Sequence, residues 1–143
     1  MTRSPATLAL TVDVVRRLEA DAMAALPPGT LMQRAAAAIA VSAGTLLRET
    51  VGRVSGSRVL LLVGSGDNGG DALYAGARLA TRGARVDAVL VADRHHADGA
   101  AALVRAGGRL HGTDDLLAAA ELVAGADLVL DGILGIGGRG ALH

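Results

Sequence analysis

The stretch R-V-L-L-L-V-G-S-G-D-N-G-G-D-A-L-Y, from Arg58 to Tyr74, decides the fold class of this chain. Its apolar run, Val59 to Val63, has the length and composition of a central strand in a parallel sheet. Gly64, Gly66 and Gly69 then follow the spacing G-x-G-x-x-G. Such a turn leaves backbone N–H groups open at a helix N-terminus, where an anion such as a pyrophosphate binds. The segment therefore predicts a strand, a glycine-rich turn and a helix beside a ligand site.

Two carboxylates distinguish this turn from a plain phosphate cradle. Asp67 and Asp71 enclose Asn68 and two glycines, and four glycines with one Asn and two Asp in eight residues exceed what a tight turn requires. We therefore favour a functional loop over a purely structural one. Asp93 lies about 20 residues further on and suits either a ribose contact or an ordinary turn residue; both interpretations stay open.

Strands and helices alternate along the rest of the chain. We predict helices over residues 11–25, 31–50, 71–82, 96–106 and 114–124, and strands over 59–63, 85–91, 109–111 and 127–131. Thr30 and Thr113 are predicted N-caps, and Gly83 a C-cap. The pattern predicts an α/β fold, a Rossmann-like three-layer sandwich with a mostly parallel sheet, preceded by two N-terminal helices.

A second glycine-rich loop follows the strand that ends at Asp131. It emerges at the same sheet edge as the first loop, because the carboxyl ends of parallel strands meet there. Asn68 and Asp131 would offer hard oxygen donors, which suit a hard cation better than zinc; a local turn role for Asp131 is the alternative. A cation would also relieve repulsion between the carboxylates and a phosphate-bearing ligand. Arg139 is either a phosphate partner or a solvated loop residue.

Composition excludes several classes of chemistry. The 143-residue chain has no cysteine, and all 14 of its basic residues are Arg, which removes disulfides, thiolate catalysis, a Walker-type lysine and a Schiff-base lysine. A formal net charge of +0 and 1% aromatic residues give no case for binding nucleic acid or an acidic membrane. No signal peptide or spanning segment is apparent, so we expect a soluble, cytoplasmic protein.

The histidines and Ser65 carry no recognisable catalytic pattern. His95 and His96 are adjacent, so they diverge on a helix and cannot share a metal. His111 is isolated and His143 is terminal, and we interpret all four histidines as surface residues. Ser65 lies in G-S-G-D-N, which is not a nucleophile elbow.

The loop G-S-G-D-N-G-G-D-A-L resembles the G-x-G-N-N-G-G-D-G motif of the NAD(P)H-hydrate epimerase family, the YjeF N-terminal domain. Three other segments are similar to that family in the same order. These are R-R-L-E-A-D-A-M-A, L-M-Q-R-A-A-A and D-L-V-L-D-G-I-L-G-I-G-G-R-G. The resemblance covers the chain from about Thr11 to its end.

This resemblance implies an isomerase that interconverts the R and S hydrates of NADH and NADPH, NADHX and NADPHX, in the repair of nicotinamide cofactors. It implies Asn68 and Asp131 as ligands of a potassium ion. Our own candidate for the catalytic acid/base is Asp71, which lies at a predicted helix N-terminus beside the ligand. The implied substrate-binding residues are Asp67, Asn68, Gly69, Gly70, Asp71, Gly135, Ile136, Gly137, Gly138, Arg139, Gly140 and Ala141. Implied partners are a fused or separate ADP- or ATP-dependent NAD(P)H-hydrate dehydratase and a second copy of the chain in a homodimer.

The sequence also departs from the family pattern. Asp67 and Ala72 replace the usual Asn and Gly of the first loop, and Gly138-Arg139 alters the second. The family's D-x-P-S-G-like segment, which supplies a further substrate Asp and a potassium-ligand Ser, does not occur by His143, so we expect residues 1–143 to form a single, incomplete domain. The alternatives to an epimerase are a non-catalytic nucleotide-binding or scaffold module of the same fold and a generic dinucleotide-binding domain.

Overall fold

The computed structural model describes residues 10–114 and 116–135. Two helices come first, and strands then alternate with helices as the sequence predicts. In chain order the elements are α1 Val12–Ala24, α2 Thr30–Val51, β1 Arg58–Val63, α3 Asp67–Thr81, β2 Arg85–Leu90, α4 Ala97–Arg105, β3 Arg109–His111, α5 Leu116–Gly125 and β4 Leu128–Gly132.

The four strands form one parallel sheet in the order β3-β2-β1-β4. The chain moves from β1 outward to β2 and β3, and α5 then returns it to the other side of β1. Because crossovers between parallel strands are right-handed, this reversal assigns α3 and α4 to one face of the sheet and α5 to the other. The reversal between β1 and β4 is a topological switch point, where open α/β sheets bind ligands. The predicted α/β fold class is thereby confirmed.

The main hydrophobic core lies between the sheet and α3. Val59, Leu61 and Val63 alternate along β1 on this face, where they are at most 2% exposed, and they join Leu73 and Leu79 of α3 in one buried cluster. Burial of several such side chains stabilises the fold by roughly 1.5–3 kcal/mol each. This core fixes α3 over β1, and so places the first turn of α3 at the carboxyl edge of the sheet.

Helix α2 packs on the outside of α3 through small residues. Its buried positions are Ala36, Ala40, Ala43, Gly44 and Leu47. Among the described residues it is the one helix with the length and composition to cross a membrane, and its buried face joins the core beside α3. The predicted cap is wrong: Gly29, with φ +80°, is the N-cap residue, and the Thr30 hydroxyl donates to the Pro27 carbonyl instead, at 2.8 Å.

The opposite face of the sheet carries a charged cluster. The Asp87 carboxylate of β2 accepts hydrogen bonds from Arg109 Nε at 2.9 Å and Nη2 at 3.1 Å, and lies 2.7 Å from His111 Nε2. Burial acts to raise the pKa of Asp87, but the hydrogen bonds from Arg109 and His111 outweigh it and leave this pKa below its ordinary value. His111 is therefore a structural partner of Asp87, and its interpretation as a plain surface residue is wrong.

Helix boundaries differ from prediction by one to four residues, and the starts of α3, α4 and α5 change the interpretation of a residue. Helix α3 begins at Asp67, four residues before the predicted start, so D-N-G-G forms its first turn rather than a loop. Helix α4 begins at Ala97, with His96 as its N-cap residue. Helix α5 begins at Leu116, so Thr113 is not its N-cap. Gly83 has φ +91° and lies one residue past Arg82, the C-cap of α3, which agrees with a glycine-dependent helix end.

Candidate functional site

A cavity of about 620 Å³ opens at the switch point. Four parts of the chain line it: α1 and α2 with the turn between them, the first turn of α3, the start of α4, and the segment that leaves β4. The α3 side contributes Ser65, Gly66, Asp67, Asn68 and Asp71, and the β4 side contributes Ile133, Leu134 and Gly135. The first predicted loop and the described part of the second, up to Gly135, therefore line one cavity.

Glycines allow the two loops to approach each other. A Cβ on Gly64 would collide with the carbonyl oxygen of Ile133, and a Cβ on Gly69 would collide with that of Gly64. The Gly64 N–H also donates to the Gly132 carbonyl at 3.1 Å, which extends the β1–β4 ladder to the rim of the cavity. Gly64 and Gly69 thus allow close backbone packing. A G-x-G-x-x-G turn uses glycine in this way as well as to keep N–H groups open to a ligand.

The first turn of α3 presents unused N–H groups. Gly66 is the N-cap residue and provides no side-chain cap, while the N–H groups of Gly69 and Gly70 return to the Gly66 carbonyl at 3.1 and 3.4 Å. Among the described residues, no backbone carbonyl accepts from the N–H of Asp67 or Asn68. These two donors are available to a ligand in the cavity.

Asn68 connects the two loops. Its Nδ2 donates to the Leu134 carbonyl at 2.9 Å, which turns the amide toward the β4 side and leaves Oδ1 free of protein donors among the described residues. Asp131 is the penultimate residue of β4, and its Oδ1 accepts the Ile133 N–H at 3.0 Å in a local turn. Asn68 lines the cavity and Asp131 does not. Within the described ranges no group of three or more His, Cys, Asp or Glu side chains could hold a metal.

Asp71 is a carboxylate without a protein partner. It is half-buried on the cavity wall, and no described residue donates a hydrogen bond to it. Burial raises the pKa of Asp71, the charges of Asp67 and Glu19 raise it further, and His96 acts in the opposite direction. The net direction is upward, which brings the carboxyl closer to the range in which it can exchange a proton at neutral pH.

His96 lies at the cavity, whereas its sequence context indicated an ordinary surface residue. It lines the cavity as the N-cap of α4, and its ring lies edge-on to Tyr74 with centroids 5.5 Å apart. The available signal was topological: a helix that follows a parallel strand begins at the same sheet edge as the glycine loop, so its N-cap borders the crevice. His95 does not line the cavity.

The outer wall of the cavity is apolar and comes from the N-terminal helices. Its residues include Met23, Leu26, Pro28, Leu31 and Met32, with Glu19 as the acidic member. Met32 also packs over Gly70, where a Cβ would lie 2.8 Å from the Met32 Cε. The sequence predicted these helices without predicting that they close the site.

The remaining predicted residues have different placements. Gly69 and Gly70 are buried beneath the cavity wall, whereas Asp93 is exposed and does not line it. Gly135 lines the cavity. Ile136, Gly137, Gly138, Arg139, Gly140, Ala141 and His143 lie outside the described residues.

Comparison with known proteins agrees with this geometry. The family described as "YjeF-related protein N-terminus" matches residues 28–143, which include both loops of the cavity. The chain belongs to the YjeF N-terminal family. The crystal structure of the yeast protein ynu0, YNL200c, is similar with a TM-score of 0.80 over 94% of this chain and 60% of that one, at 17% identity. That likeness supports the fold.

Named bacterial relatives are closer in sequence. The chain is 47% identical over 133 residues to the "Bifunctional NAD(P)H-hydrate repair enzyme Nnr" of Mycobacterium tuberculosis, with coverage of 92% of this chain and 26% of the relative. It is 49% identical over 129 residues to the "NAD(P)H-hydrate epimerase" of Microbacterium testaceum, with coverage of 90% and 46%. The chain thus spans half or less of the length of these relatives.

Proposed function

We propose that this chain carries the nicotinamide-hydrate site of an NAD(P)H-hydrate epimerase, which interconverts the R and S forms of NADHX and NADPHX. The observation that carries the proposal is Asp71: a half-buried carboxylate with a raised pKa and no hydrogen-bond donor among the described residues, on the wall of the switch-point cavity. Relatives named for this activity support the choice of substrate class.

The lining of the cavity suits a hydroxyl-rich nucleotide. Carboxylates accept hydrogen bonds, so Asp67 and Asp71 fit the hydroxyl groups of a ribose or of the hydrated ring. The free N–H groups of Asp67 and Asn68 suit a phosphate oxygen at the start of α3. The apolar wall around Met23 and Met32 suits a flat ring. We infer that phosphate and hydroxyl groups of one ligand meet different parts of the same turn.

Epimerisation places a specific demand on the acid/base group. The R and S hydrates contain the same atoms, so a group that gives a proton to the substrate must take one back by the end of the cycle. A carboxyl whose pKa is raised does both more readily than an ordinary aspartate, since efficiency is greatest when the pKa approaches the working pH. In our proposal Asp71 has this role, assisting ring chemistry without a covalent nucleophile.

We also propose that Asn68 and Asp131 hold a potassium ion. Asn68 Oδ1 has no protein donor among the described residues, and Asp131 has one carboxylate oxygen beyond the one that accepts the Ile133 N–H. Amide and carboxylate oxygens are donor types that suit a hard cation, although of these two residues Asn68 lines the cavity and Asp131 does not. When bound, the cation would supply positive charge beside an acidic site that receives a phosphate-bearing ligand.

We also propose a partner enzyme, an oligomeric state and a cellular location for this protein. Relatives named as bifunctional repair enzymes support a dehydratase partner, fused or separate, that consumes the S hydrate with ADP or ATP. We further propose a homodimer, to be measured by sedimentation, and a cytoplasmic location, to be measured by cell fractionation.

The test is an epimerisation assay. R-NADHX is incubated with the purified chain, potassium and an S-specific dehydratase, and loss of the R form is followed against a sample without the chain. We expect conversion faster than the spontaneous reaction. A chain that is stabilised thermally by NADHX but does not accelerate conversion would be a binding module instead, and the epimerase proposal would fail.

A further inference from the structure

His96 is held in one orientation by its own helix. As the N-cap residue of α4 it has extended backbone angles, φ −72° and ψ 101°, and its Nδ1 accepts the Gly99 N–H at 3.0 Å. The ring lies against Gly70, where a Cβ would come within 3.1 Å of the His96 Cδ2, and edge-on to Tyr74. The cap bond and these neighbours restrict rotation of the ring.

The cap bond also determines the position of the proton. A nitrogen that accepts a hydrogen bond cannot carry the proton itself, so the neutral ring of His96 has its hydrogen on Nε2. Nε2 is therefore a hydrogen-bond donor. Among residues 10–114 and 116–135, no protein group accepts from it.

The cavity around this donor is otherwise acidic. Three carboxylates line it, those of Glu19, Asp67 and Asp71, and His96 is the only basic side chain among its described lining residues. His96 is also close enough to Asp71 to act on the Asp71 pKa in the opposite direction to burial and to the neighbouring Asp67 and Glu19 charges. A fixed donor thus lies beside the candidate acid/base.

We propose that His96 is a substrate-binding residue whose Nε2–H donates to an acceptor oxygen of the nicotinamide nucleotide hydrate and positions it beside Asp71. This inference rests on the proposed function and names a residue of that site. It accounts for a donor with no described protein acceptor on a residue that lines the ligand cavity: the acceptor comes with the ligand. Because the donor is fixed before binding, little freedom is lost when the bond forms.

Three variants separate binding from helix capping. His96→Asn retains a good N-cap acceptor but lacks the donor at the Nε2 position. His96→Ala loses both the cap and the donor. His95→Asn changes the neighbouring histidine, which does not line the cavity, and serves as the matched control. The measurements are the melting temperature, KM and kcat for R-NADHX, and the dissociation constant for NADHX by calorimetry.

We expect His96→Asn to melt within about 1–2 °C of the wild type, while KM and the dissociation constant rise roughly 3–10-fold, the range expected for one hydrogen bond. The change should fall on KM more than on kcat, since the bond is made in both ground and transition states. His96→Ala should show the same loss of binding with a lower melting temperature, and His95→Asn should resemble the wild type.

The inference is overturned if the wild type binds NADHX and His96→Asn binds it equally well, or if weaker binding appears only together with a lowered melting temperature. Absence of NADHX binding by the wild type is a different result. It would reject the proposed function, and the assignment of His96 with it.

Discussion

Two aspartates, Asp71 and Asp87, each lie near a histidine, yet their surroundings are opposite. Asp87, on the α5 face of the sheet, has two hydrogen bonds from Arg109 and a contact with His111 at 2.7 Å. Asp71, on the cavity wall, has no described partner. Partners lower the pKa of Asp87 despite its burial, whereas burial and like charges raise the pKa of Asp71.

This difference in hydrogen-bond partners distinguishes a carboxylate with a structural role, Asp87, from one that is available to a ligand, Asp71. A buried carboxylate with a structural role is paired with basic side chains of the same fold, and Asp87 joins β2 to β3 in this way. A carboxylate that is left without partners at the edge of a cavity costs stability unless a ligand supplies the partners. Substitutions at the two carboxylates and at their histidine neighbours test this difference.

Asp71→Asn should lower kcat/KM for R-NADHX by about 10²–10⁴-fold, because it removes proton transfer but retains the shape of the side chain. The coupled dehydratase assay measures the effect. Asp93→Asn is the control, since Asp93 is an exposed aspartate outside the cavity. An Asp71→Asn variant that retains wild-type turnover would remove Asp71 from the acid/base role.

Asp87→Asn should lower the free energy of unfolding by about 1–2 kcal/mol, because hydrogen bonds to an ionised group are lost at a side chain that is 12% exposed. Urea unfolding measures it. The remaining folded protein should bind NADHX as the wild type does. Weaker NADHX binding with unchanged stability would contradict the structural role of Asp87.

The two aspartates should affect stability with opposite signs as pH changes. A lowered pKa contributes stability that is present above the ordinary aspartate pKa of about 3.9 and lost as pH falls through the folded value. A raised pKa contributes stability that is present below about 3.9 and lost as pH rises through the folded value. Melting temperatures from pH 3 to pH 8 therefore distinguish the two variants.

Asp87→Asn should reduce the loss of stability in acid. Asp71→Asn should be more stable than the wild type at pH 7 by about 0.5 kcal/mol, a small figure because solvent screens a half-exposed carboxylate, and this gain should disappear toward pH 3. If the melting temperatures of the two variants changed in the same way with pH, the opposite pKa shifts of Asp71 and Asp87 would be contradicted.

His111→Asn should have the smallest effect. Arg109 still pairs with Asp87 in this variant, so we expect a loss of about 0.5–1 kcal/mol in the free energy of unfolding and no change in the dissociation constant for NADHX. A larger effect on ligand binding than that of His96→Asn would reverse the roles assigned to the two histidines.

Local sequence patterns predicted most of the framework. The apolar run of β1 and the alternation of elements predicted the parallel sheet, and the positions of Gly64 and Asp131 predicted where its ligand edge lies. These signals succeed because strand burial and glycine requirements depend mainly on nearby residues.

Other features depend on contacts between distant segments. D-N-G-G has weak helix propensity, yet it forms the first turn of α3 because the ends of β1 and β4 pack against it: a Cβ on Gly132 would lie 2.8 Å from the Asn68 carbonyl oxygen. Met23 and Met32 reach the cavity only through the docking of helices that precede the sheet. The N-cap position of His96 can be recognised only when the first residue of α4 is known, and helix boundaries are the least reliable part of a sequence-based prediction.

The most direct test of the account is the rate at which R-NADHX is converted by the purified chain, with Asp71→Asn measured beside it. The account predicts conversion faster than the spontaneous reaction in the wild type and a loss of about 10²-fold or more in the variant, with both proteins folded. Equal rates in the wild type, the variant and the sample without protein would contradict it.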